Sequence, residues 1–227
     1  MKVFGKNVFN ELKDDLKSIK KVYLAKNFND KDIISFIKDN KISYTVTDFK
    51  VLDGMVEGKH QGIVVVIDDY EYANVEDMYN DNIVVMLDHL EDPHNFGAII
   101  RTCEAAGIKS IIIPKDRSVS VTSTVMKTSA GALSNVNIAM VNNLVRTIDD
   151  FKKEGFFVYA ADMDGENYKN VSYSDKVLLI IGSEGNGVGR LVKENCDQIL
   201  AIPQFGHVNS LNASVAAAIL IYGIVNK

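Results

Sequence analysis

The sequence predicts an α/β protein: a mostly parallel sheet with helices on both faces, preceded by a smaller α/β unit. Three observations carry that class. From Asn82 onward, apolar segments of strand length alternate with segments of helical period. The first of these strands, Ile83 to Leu87, has no polar face, as expected of a strand covered on both sides. Between the two units the acidic, polar stretch Asp68 to Asp77 breaks the pattern, as an interdomain linker does.

In the front unit, Val8 to Leu16 is amphipathic and Val22 to Ala25 is a short strand. Asp30 to Asp39 has helical period, Ile42 to Thr47 alternates like a strand, Phe49 to Met55 is a weak helix, and Gly62 to Ile67 is an apolar strand. After Ile83 to Leu87, a helix is expected over Ala98 to Ala106, with Gly107 able to end it in the left-handed conformation. Strand Ile108 to Ile113, helix Val121 to Leu133, strand Val136 to Val141, helix Leu144 to Lys153 and strand Phe156 to Ala160 follow. Strand Val177 to Ile181, helix Gly189 to Glu194, strand Gln198 to Ile202 and a final helix from Asn212 complete the series. The expected division is residues 1–73, a linker at 74–81, and residues 82–227. Apolar strands separated by helices imply right-handed crossovers and a parallel sheet, whose ligands bind beyond the carboxyl ends of the strands.

With 47% hydrophobic and 24% charged residues, disorder is excluded as a class. The longest uncharged stretch, Val208 to Asn226, opens on polar residues, and its apolar part is too short to span a bilayer. It is expected to be a helix buried within protein. No signal-peptide pattern opens the chain, so a cytoplasmic protein is expected. Cys103 and Cys196 lack metal-ligand spacing and fit small core residues; His60, His89, His94 and His207 are scattered, so no metal cofactor is expected. The net charge of −5 opposes a nucleic-acid partner, but residues 1–73 hold 12 lysines against 12 acidic residues, whereas the remainder holds 13 basic and 18 acidic. Lys2, Lys6, Lys13, Lys17, Lys20, Lys21 and Lys26 crowd the first part of the front unit. On charge alone that run serves equally as an RNA-binding face or a solvated one.

Three polar constellations lie directly after Leu87, Ile181 and Ile202, at strand ends. In the first, Asn95 and Arg101 flank the start of a helix. Asn95 suits a helix cap as well as a ligand. Arg101 is the basic residue of a helix otherwise rich in Ala, Ile, Thr and Cys, and a half-buried Arg calls for a carboxylate or phosphate partner. In the second, Gly182-Ser-Glu-Gly-Asn-Gly187, glycines permit close backbone approach and Glu184 is placed to pair with Arg101 or accept from hydroxyls. The glycine order is not that of a dinucleotide fold, which disfavours a nicotinamide-dependent oxidoreductase. In the third, the loop Gln204 to Asn209 leads to Ser210, Leu211, Asn212 and Ser214; Asn212 can cap the last helix or serve a ligand.

Together these segments resemble the three signature motifs of the SpoU (TrmH-like) branch of the SPOUT RNA methyltransferases: Asn95 with Arg101, Gly182 to Gly187, and Ile202-Pro with Ser210-Leu-Asn212. Lys127 to Ala132 is similar to a further stretch found between the first two. Gly5 to Leu12 and His60-Gln-Gly62 resemble the ribosomal-protein-like substrate domain of members that methylate a guanosine ribose in 23S ribosomal RNA. The resemblance implies a SPOUT-type sheet with a C-terminal trefoil knot, S-adenosylmethionine as methyl donor without a metal, RNA as partner, and a homodimer. By position it implies Gly182, Ile202 and Leu211 around the donor, with Asn95, Arg101, Glu184, Ser210 and Asn212 around the reacting ribose. A transfer-RNA ribose methyltransferase and a non-catalytic relative that only binds structured RNA are the alternatives within that resemblance.

Overall fold

The structure is a computed structural model that describes every residue except Asp15, Val208, Asn209 and Lys227. The last two residues of the Gln204 to Asn209 loop therefore lie outside the described residues. The chain divides into two compact units, Met1–Glu71 and Tyr72–Lys227.

The first unit carries strands β1 (Lys2–Phe4), β2 (Ile19–Ala25), β3 (Tyr44–Thr47) and β4 (Ile63–Ile67), with helices α1 (Lys6–Glu11), α2 (Lys31–Asp39) and α3 (Phe49–Asp53). Its sheet runs β1-β4-β2-β3, antiparallel except for the parallel pair β2 and β3. The helix expected over Val8 to Leu16 is α1 followed by the short 3-10 turns Leu12–Asp14 and Leu16–Ser18. Strand β1 has three residues and passes unmarked by any periodicity. Asp30 caps α2 by accepting from the Ile33 amide at 3.3 Å, and the four-residue spacing of Ile33 and Ile37 buries both on one face. The segments Gly5 to Leu12 and His60-Gln-Gly62 meet here: the Lys6 amide donates to Gln61 Oε1 at 2.9 Å and the Gly5 amide to the Ile63 carbonyl at 3.2 Å, which fixes the start of α1. His60 is buried, accepts from the Gly62 amide on Nδ1 at 3.0 Å, and so carries its proton on Nε2, which donates to Asp53 at 3.1 Å.

The second unit contains strands β5 (Ile83–Asp88), β6 (Ser110–Pro114), β7 (Asn137–Val141), β8 (Phe157–Asn167), β9 (Val177–Gly182) and β10 (Gln198–Ala201). Its helices are α4 (Pro93–Ala105), α5 (Ser123–Ser129), α6 (Leu144–Lys153), α7 (Arg190–Glu194) and α8 (Ala213–Val225). The sheet runs β10-β8-β9-β5-β6-β7, with all five pairings parallel. One face, bearing Val84, Met86, Val158, Leu178 and Ile180, packs on α6 and α7 through Ile148, Phe151 and Val192. Helix α8 packs on α4 and β9. Gly107, at φ 77°, ends α4 as expected.

Residues 74–81 are not a free linker. The Ala73 amide donates to the Ile138 carbonyl at 2.9 Å, and Val75–Asn80 forms a 3-10 turn whose Met78 is buried in the second core. The run of acidic letters hides these anchors, Met78 together with Ala73, Val75 and Tyr79, which pack against the same core. Strand β8 extends seven residues past the expected Ala160, because its outer half is paired with β10 beyond a register shift at Ile199/Leu200. Helix α8 is only partly buried: Val215, Tyr222 and Val225 are exposed along one side. Among the described residues no helix is long and apolar enough to cross a membrane.

Candidate active site

The strand order places the carboxyl ends of β5 and β9 side by side, with Asp88 in register with Gly182. Helix α4 begins at Pro93, five residues before the expected Ala98, because Asp92 is its cap: Oδ1 accepts from the His94 amide at 2.9 Å, and Pro93 follows in the position where a missing N–H costs nothing. Asn95 is therefore not the cap. It sits buried in the first turn and donates from Nδ2 to Asp92 Oδ2 at 2.9 Å and to Glu184 Oε1. Asn212 caps α8 with one end of its amide and joins the Asn95–Glu184 pair with the other. Its Oδ1 accepts from the Ser214 and Val215 amides at 3.0 and 3.3 Å, capping α8, while its Nδ2 donates to Asn95 Oδ1 at 3.0 Å and Glu184 Oε1 at 3.3 Å.

Three loops thus meet in one hydrogen-bonded cluster, Asn95–Glu184–Asn212. Both asparagines spend their amides on it. Glu184 uses only Oε1, so Oε2 makes no hydrogen bond among the described residues. Beside the cluster lies a cleft of about 410 Å³, lined by Gly182, Glu184, Ile202, Ser210 and Leu211 together with Ala161, Asp162 and Met163 of β8. Seven of the eight residues singled out in the sequence therefore line this cleft or touch Glu184.

Arg101 departs from expectation. It is exposed and makes neither an ion pair nor a hydrogen bond among the described residues, so it does not pair with Glu184. Six residues separate it from Asn95 on α4, which turns it about 240° around the helix and moves it about 9 Å along the axis. Its apolar neighbours in sequence face the core while Arg101 itself faces solvent.

Two residues at the site, Asp88 and Asp162, carried no sequence signal. Asp88, buried at the end of β5, accepts from the Gly189 amide at 2.7 Å and from His89 Nδ1 at 2.5 Å, anchoring the chain where the glycine loop enters α7. Asp162 pairs with Lys193 of α7 at 2.7 Å. Burial pushes the Asp162 carboxyl up, but the Lys193 ammonium and the Asp164 amide outweigh it and leave it below its ordinary value, so it is ionised at neutral pH. Burial pushes the thiols of Cys103 and Cys196 up to about 12, which excludes both as nucleophiles near neutral pH. Among the described residues no group of three or more His, Cys, Asp or Glu could hold a metal ion.

The first turn of α4 is set against α5. A methyl group on Gly97 would lie 1.9 Å from Thr128 Oγ1, 2.7 Å from Thr128 Cβ and 3.1 Å from the Ser129 amide. This interlock gives Lys127-Thr-Ser-Ala-Gly-Ala132 a role: it holds the turn that carries Asn95. Gly97→Ala is expected to destabilise the unit by about 1–3 kcal/mol, measured by urea unfolding. Adding Thr128→Ala should restore only part of the loss, because Thr128 Cβ and the Ser129 amide remain in place.

The profile of the SpoU rRNA methylase family matches residues 82–222, and that of RNA 2′-O ribose methyltransferase substrate binding matches residues 2–73. A relative from Bacillus subtilis (strain 168), YacO, which carries a TrmH family tRNA/rRNA methyltransferase name, is 42% identical over 99% of this chain and 95% of its own. Among solved structures, the SpoU methyltransferase AviRb from Streptomyces viridochromogenes in complex with AdoMet superposes with a TM-score of 0.85 at 19% identity, covering 100% of this chain and 89% of that one. An AdoMet-bound rRNA methyltransferase from Sinorhizobium meliloti gives a TM-score of 0.80 at 23% identity over 99% and 86%.

Proposed function

The chain belongs to the SpoU rRNA methylase family of RNA methyltransferases, and from that membership we propose that it methylates a ribose 2′-hydroxyl, that of a guanosine in 23S ribosomal RNA, using S-adenosylmethionine. The observation that carries the proposal is the convergence of three distant loops on Glu184 beside the cleft.

The cleft fits the donor in size, lying within the range of small-molecule sites. Gly182 closes so tightly on Gly187 that only backbone forms this wall, and Gly182, Ile202 and Leu211 would hold the donor. When bound, S-adenosylmethionine supplies a methyl group already activated by its sulfonium. The protein's task is then alignment, which can lower a barrier by about 7–11 kcal/mol, and the disposal of one proton. Glu184 Oε2, the oxygen that Asn95 and Asn212 leave open, would take the proton of the ribose hydroxyl. Ser210, exposed in the cleft wall, is placed to hydrogen-bond the ribose. Arg101 is not assigned as the base, because a guanidinium keeps its proton in proteins. It stabilises the developing alkoxide or holds a flanking phosphate.

The reading extends to a homodimer and to a knotted C-terminal segment. Val215, Tyr222 and Val225 form an exposed apolar stripe on α8 that calls for a covering partner, and a second copy is the occupant that the family supplies. The knot rests on family membership, and the return of α8 to pack on β9 and α4 after β10 has joined the far edge of the sheet supports that reading. The first unit would bind the RNA. Lys20 and Lys26 there are paired with Asp68 and Asp48, and exposed pairs of this kind are weak enough to exchange for phosphates.

Mapping blocked 2′-hydroxyls in ribosomal and transfer RNA from cells with and without this protein tests the proposal. One guanosine of 23S ribosomal RNA should lose its block. A loss confined to transfer RNA would replace the substrate, and no change at any ribose would reject the activity.

A further inference from the structure

Charged residues lining the cleft, among those described, are two carboxylates, Asp162 and Glu184, and no cation. Glu184 is bonded by neutral amides. Asp162 does have a counter-ion, but Lys193 reaches it from α7 and does not line the cleft. The pair is well formed at 2.7 Å, with the side chain of Asp162 18% exposed and that of Lys193 36% exposed. The Asp164 amide adds a second donor to Asp162 Oδ1 at 3.4 Å. The cleft lining therefore includes the acidic member of an ion pair and not its basic member.

We infer that Asp162, positioned by Lys193, makes the cleft selective for a ligand carrying positive charge, so that it holds the sulfonium donor more tightly than the demethylated product. The inference rests on the proposed methyltransferase reading. Methyl transfer converts the sulfonium to a neutral thioether and leaves the rest of the molecule unchanged. The donor and its spent form differ by one methyl group and one charge, and the charge is what a carboxylate discriminates. A cleft whose charged lining residues are carboxylates therefore loses attraction for the carrier at the moment of transfer. Release of the spent carrier, a step that limits many enzymes, is favoured by the same residues that draw the donor in.

Two substitutions should move this preference in opposite directions, which a merely structural role does not do. Isothermal titration of S-adenosylmethionine and S-adenosylhomocysteine into the full chain gives the ratio of the two affinities, and sinefungin, whose amine is charged where the product is neutral, serves as a third ligand. Asp162→Asn removes the carboxylate and leaves the Lys193 ammonium unpaired; the preference for S-adenosylmethionine and sinefungin over S-adenosylhomocysteine should fall by about tenfold. Lys193→Met leaves the Asp162 carboxylate unopposed; the same preference should rise severalfold. Thermal melting of each variant shows that the fold persists. A ratio that stays within twofold of the parent in both variants, or that shifts in the same direction in both, overturns the inference and leaves the methyltransferase reading standing. Failure of the parent chain to bind either S-adenosyl compound overturns both.

Discussion

Replacing Gly182 by alanine is expected to remove donor binding almost entirely. Gly182 is the last residue of β9, and a methyl group there would lie 2.0 Å from the carbonyl carbon of Gly187, 2.2 Å from its oxygen and 2.2 Å from the Val188 nitrogen. All three are backbone atoms, so no side chain can swing aside. The loop is closed on itself, with the Ser183 amide donating to the Gly187 carbonyl at 3.2 Å and the Gly187 amide to the Ser183 carbonyl at 2.9 Å. It can admit the methyl only by opening, which would carry Glu184 away from Asn95 and Asn212 and pull on the Asp88 contact to Gly189. Titration calorimetry should show donor affinity reduced by more than about 100-fold, and urea unfolding a loss of about 3 kcal/mol or more, at the upper end of what overpacking costs. Gly185→Ala is the control. Its methyl would meet nothing within 4 Å, so stability should change by less than about 0.5 kcal/mol. Donor binding by Gly182→Ala at the parent's affinity would show that the glycine loop does not form the donor cradle.

The difference between these two glycines illustrates what the letters convey. Strand β9 is legible as an unbroken apolar run, and the strand rule locates a ligand loop at its end. Which glycine in Gly182 to Gly187 is irreplaceable depends on a contact between the two ends of the loop, which no local pattern expresses. The same boundary runs through the rest of the molecule. Helix α6 was placed at Leu144 to Lys153 from period alone, since Leu144, Ile148 and Phe151 sit on one buried stripe. The outer half of β8 escapes that reading, because Asp162, Asp164 and Glu166 alternate with Met163 and Gly165 and break the apolar run that marks a covered strand. That half carries Asp162, so the missed element and the missed cleft residue are one omission. For Asn212, a sequence poses cap and site residue as rivals, whereas one end of the amide caps α8 and leaves the other free to bond Asn95 and Glu184. Asp88 shows the limit most plainly: its partner Gly189 is 101 positions away, brought near by parallel pairing of β5 with β9.

Arg101 is where sequence and structure pull apart, and its replacement is the second large expected effect. Arg101→Ala should leave folding and donor affinity unchanged, because the side chain is exposed and makes no ion pair or hydrogen bond among the described residues. At saturating RNA, single-turnover methylation should nonetheless fall by about 10²–10³, the usual cost of deleting a group that stabilises charge developing in the transition state. Arg101→Lys should recover little of this, because an ammonium is a point charge and does not reproduce the planar fork of a guanidinium. The two roles open to Arg101 separate by salt. If it holds a phosphate, Arg101→Ala weakens RNA binding and lowers the slope of log affinity against log salt by about one. If it stabilises the alkoxide, RNA affinity and slope stay put while the chemical step alone slows. Near-normal turnover by Arg101→Lys would exclude the guanidinium from the reaction and leave alignment by Glu184, Ser210 and the glycine loop to account for the rate.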